Sequence, residues 1–120
     1  YPRDCVVYSG THDNDTTRGW WDHAPHDERR FAGAYLGCDG SDVHWATIRA
    51  ACQSVATMAV FPLQDVLGLP SCQRMNVPGT LGGENWRWRF EWAALTPETT
   101  RALGMLAAAC GRAPIGLLRH

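Results

Sequence analysis

His12, Asp13, Asn14 and Asp15 follow one another just after a short apolar run, Cys5-Val6-Val7-Tyr8, that stops at Ser9-Gly10. Gln64 and Asp65 stand in the same relation to a second run, Ala56 to Leu63. Polar residues at the C-terminal end of a parallel strand sit where such sheets build their sites. Asp13 and Asp15 could face one pocket as a carboxylate pair. The same residue types also serve loops and helix starts, because their side chains bond nearby backbone groups. Asp15 or Thr16 could simply cap the next helix. His12, His23, His26 and His44 match no closed zinc pattern, so no metal is expected.

The elements that must position these residues can be read from pattern. Cys5–Tyr8 and Ala56–Leu63 read as buried strands, with Pro62 at an end where no ladder donor is needed. A short helix is expected over Thr17–Asp22 and another over Asp27–Leu36, separated by Pro25 and followed by a turn at Gly37–Gly40. Ser41 is the expected N-cap of a helix from Asp42 to Val55, with a broad apolar face of Val43, Ala46, Ile48, Ala50, Cys52 and Val55. Residues 64–85, rich in Gly and Pro, read as a long connection of the kind that is usually functional. Trp86-Arg87-Trp88-Arg89-Phe90 fits either a strand or an extended loop. Thr96, Pro97 and Glu98 open a last helix that should run to Cys110 and stop at Gly111.

Two strands joined by a helical crossover make a parallel α/β unit. They cannot close a barrel, and both would keep unpaired edges. A (β/α)₈ barrel takes about 250 residues, so 120 residues supply one partial domain of such a fold at most.

Composition narrows the function. A formal net charge of −1, with acids and bases interspersed, gives no reason to expect a nucleic acid or a membrane surface. The apolar runs are too short to span a bilayer. Trp86 to Arg89 mixes aromatic and basic residues as single-strand binders do, but no basic stripe accompanies it, and a packed segment with its arginines paired to acids is expected. Trp20 and Trp21 could offer a face to a sugar ring; as neighbours on a helix they point apart, so at least one should be packed inside. Cys5, Cys38, Cys52, Cys72 and Cys110 are odd in number and widely spaced, which suits reduced thiols in a cytoplasmic protein. The opening Tyr1-Pro2-Arg3 without Met suggests a cut piece, and Arg119-His120 could be native or added.

Three stretches carry a resemblance. Tyr8-Ser9-Gly10-Thr11-His12-Asp13-Asn14-Asp15-Thr16 resembles the motif at the seventh barrel strand of the amylomaltases, the 4-α-glucanotransferases of glycoside hydrolase family seventy-seven. Phe61-Pro62-Leu63-Gln64-Asp65-Val66-Leu67-Gly68-Leu69 is similar to the family's eighth strand and loop. Arg74-Met75-Asn76-Val77-Pro78-Gly79-Thr80 and Asn85-Trp86-Arg87-Trp88-Arg89 are similar to the segment after that loop. Departures are Ser9 in place of Thr, and Ser71-Cys72-Gln73 in place of an acid-Ala pairing; His23, Pro25 and His26 belong to no motif.

The resemblance implies the C-terminal portion of a TIM (β/α)₈ barrel, strands seven and eight with their helices. It further implies retaining transfer of α-1,4-glucan segments between maltooligosaccharides without metal or cofactor. By residue, it implies that Asp13 is the transition-state stabiliser, while His12 and Asn76 bind the donor sugar. The family's nucleophile and acid/base lie on earlier strands, and nothing here matches them. The implied partners are therefore the glucan and the missing N-terminal part of the barrel. The alternative is a non-catalytic fragment that self-associates or binds glucan weakly.

Overall fold

In the computed structural model, which describes residues 4–113, two three-residue strands lie side by side: β1 (Val6–Tyr8) and β2 (Met58–Val60). The Tyr1-Pro2-Arg3 start and Arg119-His120 lie outside the described residues. The strands are parallel, with Val6 beside Met58, Val7 beside Ala59 and Tyr8 beside Val60. Three helices form the crossover: α1 (Thr17–His23), α2 (His26–Leu36) and α3 (Val43–Cys52). After β2 come a one-turn helix α4 (Leu63–Val66), 3₁₀ turns at Ser71–Gln73 and Trp92–Ala94, and α5 (Pro97–Ala109). The expected parallel α/β unit is present. Trp86–Phe90 is loop, and α4 with the first 3₁₀ turn breaks up the long connection.

The strands are shorter and more open than expected. Pro62 ends the second run by starting α4, so Leu63 is helical. Paired residues of a parallel ladder share a face, and Val6, Tyr8, Met58 and Val60 are 44%, 52%, 56% and 39% exposed. A continuous apolar run is buried only where both faces of the sheet are covered. Here nothing among the described residues covers that face.

Helix boundaries follow local hydrogen bonding. Thr16 caps α1 by accepting from Gly19 N–H at 3.0 Å, and Thr96 caps α5 by accepting from Thr99 N–H at 3.2 Å, with Pro97 in the first turn. Ser41 does not cap α3. Its N–H and hydroxyl both donate to Asp39 Oδ1, at 3.0 and 2.7 Å, and α3 starts behind Asp42 instead. Those bonds, the hydroxyl first, hold the Asp39 carboxyl below its usual pKa. The far end of α3 falls at Cys52 rather than Val55: Ser54 donates to Ala51 C=O at 2.7 Å, and Val55 lies outside, 54% exposed.

The core is centred on α3, where Val43 and Ile48 are fully buried with Ala46, Ala51 and Cys52. Leu103 and Leu106 of α5, with Cys110 just past its end, pack on the Ile48, Cys52 and Val66 cluster. Arg112 fastens this end by donating to Cys52 C=O at 2.9 Å, Ser54 C=O at 3.1 Å and Ala56 C=O at 2.9 Å. Of the two adjacent tryptophans, Trp21 is the inner one, against Gly33 and Gly40, while Trp20 is 42% exposed. Trp88 donates to Gln73 Oε1 at 2.8 Å and stacks on Phe90, with ring centroids 5.8 Å apart. Arg87 and Arg89 do not follow the expected pairing with acids: among the described residues the arginine–carboxylate ion pair is Arg18–Asp22. Both arginines are exposed, where a pair is worth about 0–1 kcal/mol and must still offset side-chain entropy.

His44, in the first turn of α3, lies over Gly68. A Cβ there would come within 2.9 Å of the imidazole, and Gly68 has φ +66°, so geometry and contact both require glycine. Burial holds the His44 pKa below 6.5, helped by Arg18 and opposed by Asp42 and Asp65, and Nδ1 is buried without a hydrogen-bond partner. The folded state therefore favours the neutral ring. Stability is kept above the unfolded pKa and is lost as pH falls through 6.5 toward the lower folded value. The urea midpoint is expected to drop between about pH 7 and pH 5, and His44→Asn should flatten that slope. A variant with an unchanged slope would contradict this assignment.

Candidate active site

The polar loop after β1 is clamped at both ends by one carboxylate. Ser9 Oγ, before the loop, donates to Asp65 Oδ2 at 2.6 Å, and Thr17 N–H, after it, donates to Asp65 Oδ1 at 2.8 Å. Asp65 is 2% exposed. The hydroxyl that Ser9 retains is thus what reaches Asp65. Inside the loop, Asn14 Oδ1 accepts from Thr11 N–H at 2.8 Å and from Thr11 Oγ1 at 3.0 Å, while Asn14 N–H donates to Thr11 C=O at 3.1 Å. This tight turn leaves the His12 and Asp13 side chains 54% and 55% exposed.

Of the two residues expected as caps, Thr16 takes the role. Asp15 instead accepts from Thr16 N–H at 2.7 Å and from Ser71 Oγ at 2.8 Å, joining the loop to the 3₁₀ turn. Gly19 leaves the room for this, because a Cβ there would collide with Ser71 Oγ and Asp15 Oδ1. With the Asp15 and Asp65 oxygens engaged, Asp13 is the one loop carboxylate open toward solvent.

Asn76, 63 residues further along, meets Asp13. Its Nδ2 donates to Asp13 Oδ1 at 3.1 Å, and His12 Nε2 lies 3.3 Å from Asp13 Oδ2. Arg74 ties the two segments by donating to Asp13 C=O at 3.2 Å and Asn76 C=O at 3.3 Å. All three residues expected at a site are therefore brought together. Of the three, His12 lines a cleft of about 250 Å³, together with Asp15, Gln64, Asp65, Arg74 and Trp86, while Asp13 and Asn76 stand outside its lining. A larger hollow of about 910 Å³ between α2 and α3 contains none of the three.

Two further residues contribute that residue type alone does not mark. Arg74 belongs to the Arg-Met-Asn stretch and acts through its bonds to backbone carbonyls rather than on the carboxylate. Trp86 has φ +62°, alone among the described non-glycine residues, and its ring centroid lies 5.0 Å from that of His12. Such a backbone costs roughly 1–3 kcal/mol and persists only where neighbours over-determine it. Here Trp86 N–H donates to Met75 C=O at 2.6 Å, and Asn85 bonds Val77 N–H at 3.1 Å and Thr80 Oγ1 at 2.8 Å. Nothing in residue type announces that conformation.

A half-exposed carboxylate braced by an imidazole and an amide can accept hydroxyl donors and stabilise positive charge that develops beside it. Among the described residues no three His, Cys, Asp or Glu side chains gather as a metal site, and no helix is long and apolar enough to cross a membrane. Cys38, Cys52, Cys72 and Cys110 are free thiols.

A family model described as 4-alpha-glucanotransferase matches residues 1–96. The 4-alpha-glucanotransferase of Synechocystis sp. is 47% identical over 109 residues, covering 90% of this chain and 21% of that protein. The Thermus thermophilus 4-alpha-glucanotransferase is 45% identical over 113 residues, covering 89% and 22%. The chloroplastic/amyloplastic 4-alpha-glucanotransferase of Arabidopsis thaliana is 54% identical over 86 residues, covering 71% and 15%. Among solved structures, amylomaltase from Streptococcus agalactiae in complex with acarbose superposes with a TM-score of 0.89 at 28% identity, covering 95% of this chain and 23% of that one. The chain thus spans about a fifth of the length of the curated relatives it matches.

Proposed function

The chain belongs to the 4-alpha-glucanotransferase family, and from that premise we propose that it is the C-terminal portion of an amylomaltase-type (β/α)₈ barrel, with β1 and β2 as strands seven and eight. In this reading residues 1–120 are one partial catalytic domain. The barrel transfers α-1,4-glucan segments between maltooligosaccharides with retention. Asp13 stabilises the oxocarbenium-like transition state, and His12 and Asn76 bind the donor sugar. Retention needs a nucleophile and an acid/base carboxyl about 5–5.5 Å apart. That pair, as the resemblance implies, comes from the preceding part of the barrel, in the cytoplasm and without a cofactor, in keeping with the engagement of Asp15 and Asp65 elsewhere.

The observation that supports the reading is the meeting of Asp13 with both His12 and Asn76, at 3.3 and 3.1 Å, from segments 63 residues apart. The exposed β1–β2 face fits a neighbouring part of the same barrel. It also favours the second reading, a non-catalytic chain that pairs with another copy or binds glucan weakly.

Incubation with maltotriose separates them. The 120-residue chain alone is expected to release no glucose and build no longer maltodextrin, and joining it to the preceding barrel portion should start both. Joined protein that stays inactive while the chain dimerises would favour the second reading. Turnover by the purified chain alone would mean that a complete carboxylate pair is present in it.

A further inference from the structure

Trp86 invites a role that neither its burial nor its packing supplies. It is 62% exposed, yet its backbone is held at φ +62° by the Met75 contact and by the Asn85 bridges to Val77 and Thr80. The Gly82–Gly83 turn just ahead, with φ of +73° and +61°, brings it back toward the loop after β1. What this achieves is a contact with His12: ring centroids 5.0 Å apart and planes inclined by 43°. His12 is itself 54% exposed and is otherwise held by Asp13, whose Oδ2 lies 3.3 Å from Nε2. A half-exposed imidazole held on one edge keeps access to other rotamers; an aromatic ring against its face removes them.

We propose that Trp86 is a positioning residue, which fixes the His12 imidazole against Asp13 rather than binding sugar itself. The inference deepens the transferase reading and rests on it for its kinetic consequence, while the ring contact stands independently. A positioning residue acts only through its client. Trp86→Ala should then lower kcat of the assembled barrel by about tenfold, with KM held within about twofold, since misplacement of a group by an ångström costs up to a hundredfold. Trp86→Phe, which keeps an aromatic face, should recover most of that loss. In the His12→Ala background the Trp86→Ala change should cost nothing further.

NMR on the 120-residue chain tests the contact without any activity. The carbon-bound His12 ring protons are expected to be displaced upfield by the Trp86 ring current, and to return toward random-coil positions in Trp86→Ala. Unchanged His12 signals in that variant would overturn the proposal. A raised KM with kcat retained would also overturn it, because Trp86 would then be stacking on the sugar. Losses that add in the double variant would do the same. Should the wild-type barrel show no transfer at all, the transferase reading fails while the NMR result still decides the contact.

Discussion

Asp13→Ala in the assembled barrel is expected to cut the rate of maltotriose disproportionation by about a thousandfold, with the fold unchanged. Asp13 is 55% exposed and its carboxylate contacts are with His12 and Asn76, so its removal leaves no buried group unpaired. In the proposed role, the loss falls on the transition state. A carboxylate held beside a sugar that acquires oxocarbenium character contributes most when that charge develops, and removing one such stabiliser typically costs about 10²–10³ in kcat. Asp13→Asn should fall nearly as far, since the amide keeps the shape and loses the charge. Far-ultraviolet circular dichroism would verify the fold. An Asp13→Ala enzyme that kept most of its activity would remove Asp13 from the mechanism.

Asp65→Ala is expected to have the largest effect on stability, about 2–4 kcal/mol. The carboxylate is 2% exposed and accepts from Ser9 Oγ at 2.6 Å and from the buried Thr17 N–H at 2.8 Å. Alanine would strand both donors and free both ends of the loop that carries His12 and Asp13. Asp65→Asn should cost about half as much, because its amide oxygen can still accept from Thr17 while the rotatable Ser9 hydroxyl turns to accept. Urea unfolding measures both. Equal stability of wild type and Asp65→Ala would show that the loop is held by other bonds.

How far the sequence could be read depended on the range of the interaction. Local chemistry was legible: Thr96 caps, Thr16 is one of the two residues open as the cap of α1, Gly37 ends α2, and the two apolar runs become a parallel pair. The meeting of Asp13 and Asn76 was legible only through resemblance, because no periodicity links residues 63 apart. Ser41 failed as a cap because its hydroxyl is engaged as a donor to Asp39, two residues earlier, and α3 starts one residue later, behind Asp42. The exposure of the strands departs from the pattern for a different reason. An apolar run records that a face is meant to be covered, and it does not say which residues cover it. Asp65 was placed correctly at a strand end, yet its use as a strut rather than an open carboxylate depended on partners 56 and 48 residues distant.

The Arg112 clasp carries a consequence for the order of assembly. Its bonds to Cys52, Ser54 and Ala56 join residues 60, 58 and 56 apart. Closing so long a segment costs entropy that grows with the logarithm of its length, and the three carbonyls converge only once α3 has ended and the chain has turned toward β2. The guanidinium can therefore take its seat only after that turn has formed, and docking of α5 through this clasp is expected to follow the end of α3 rather than precede it.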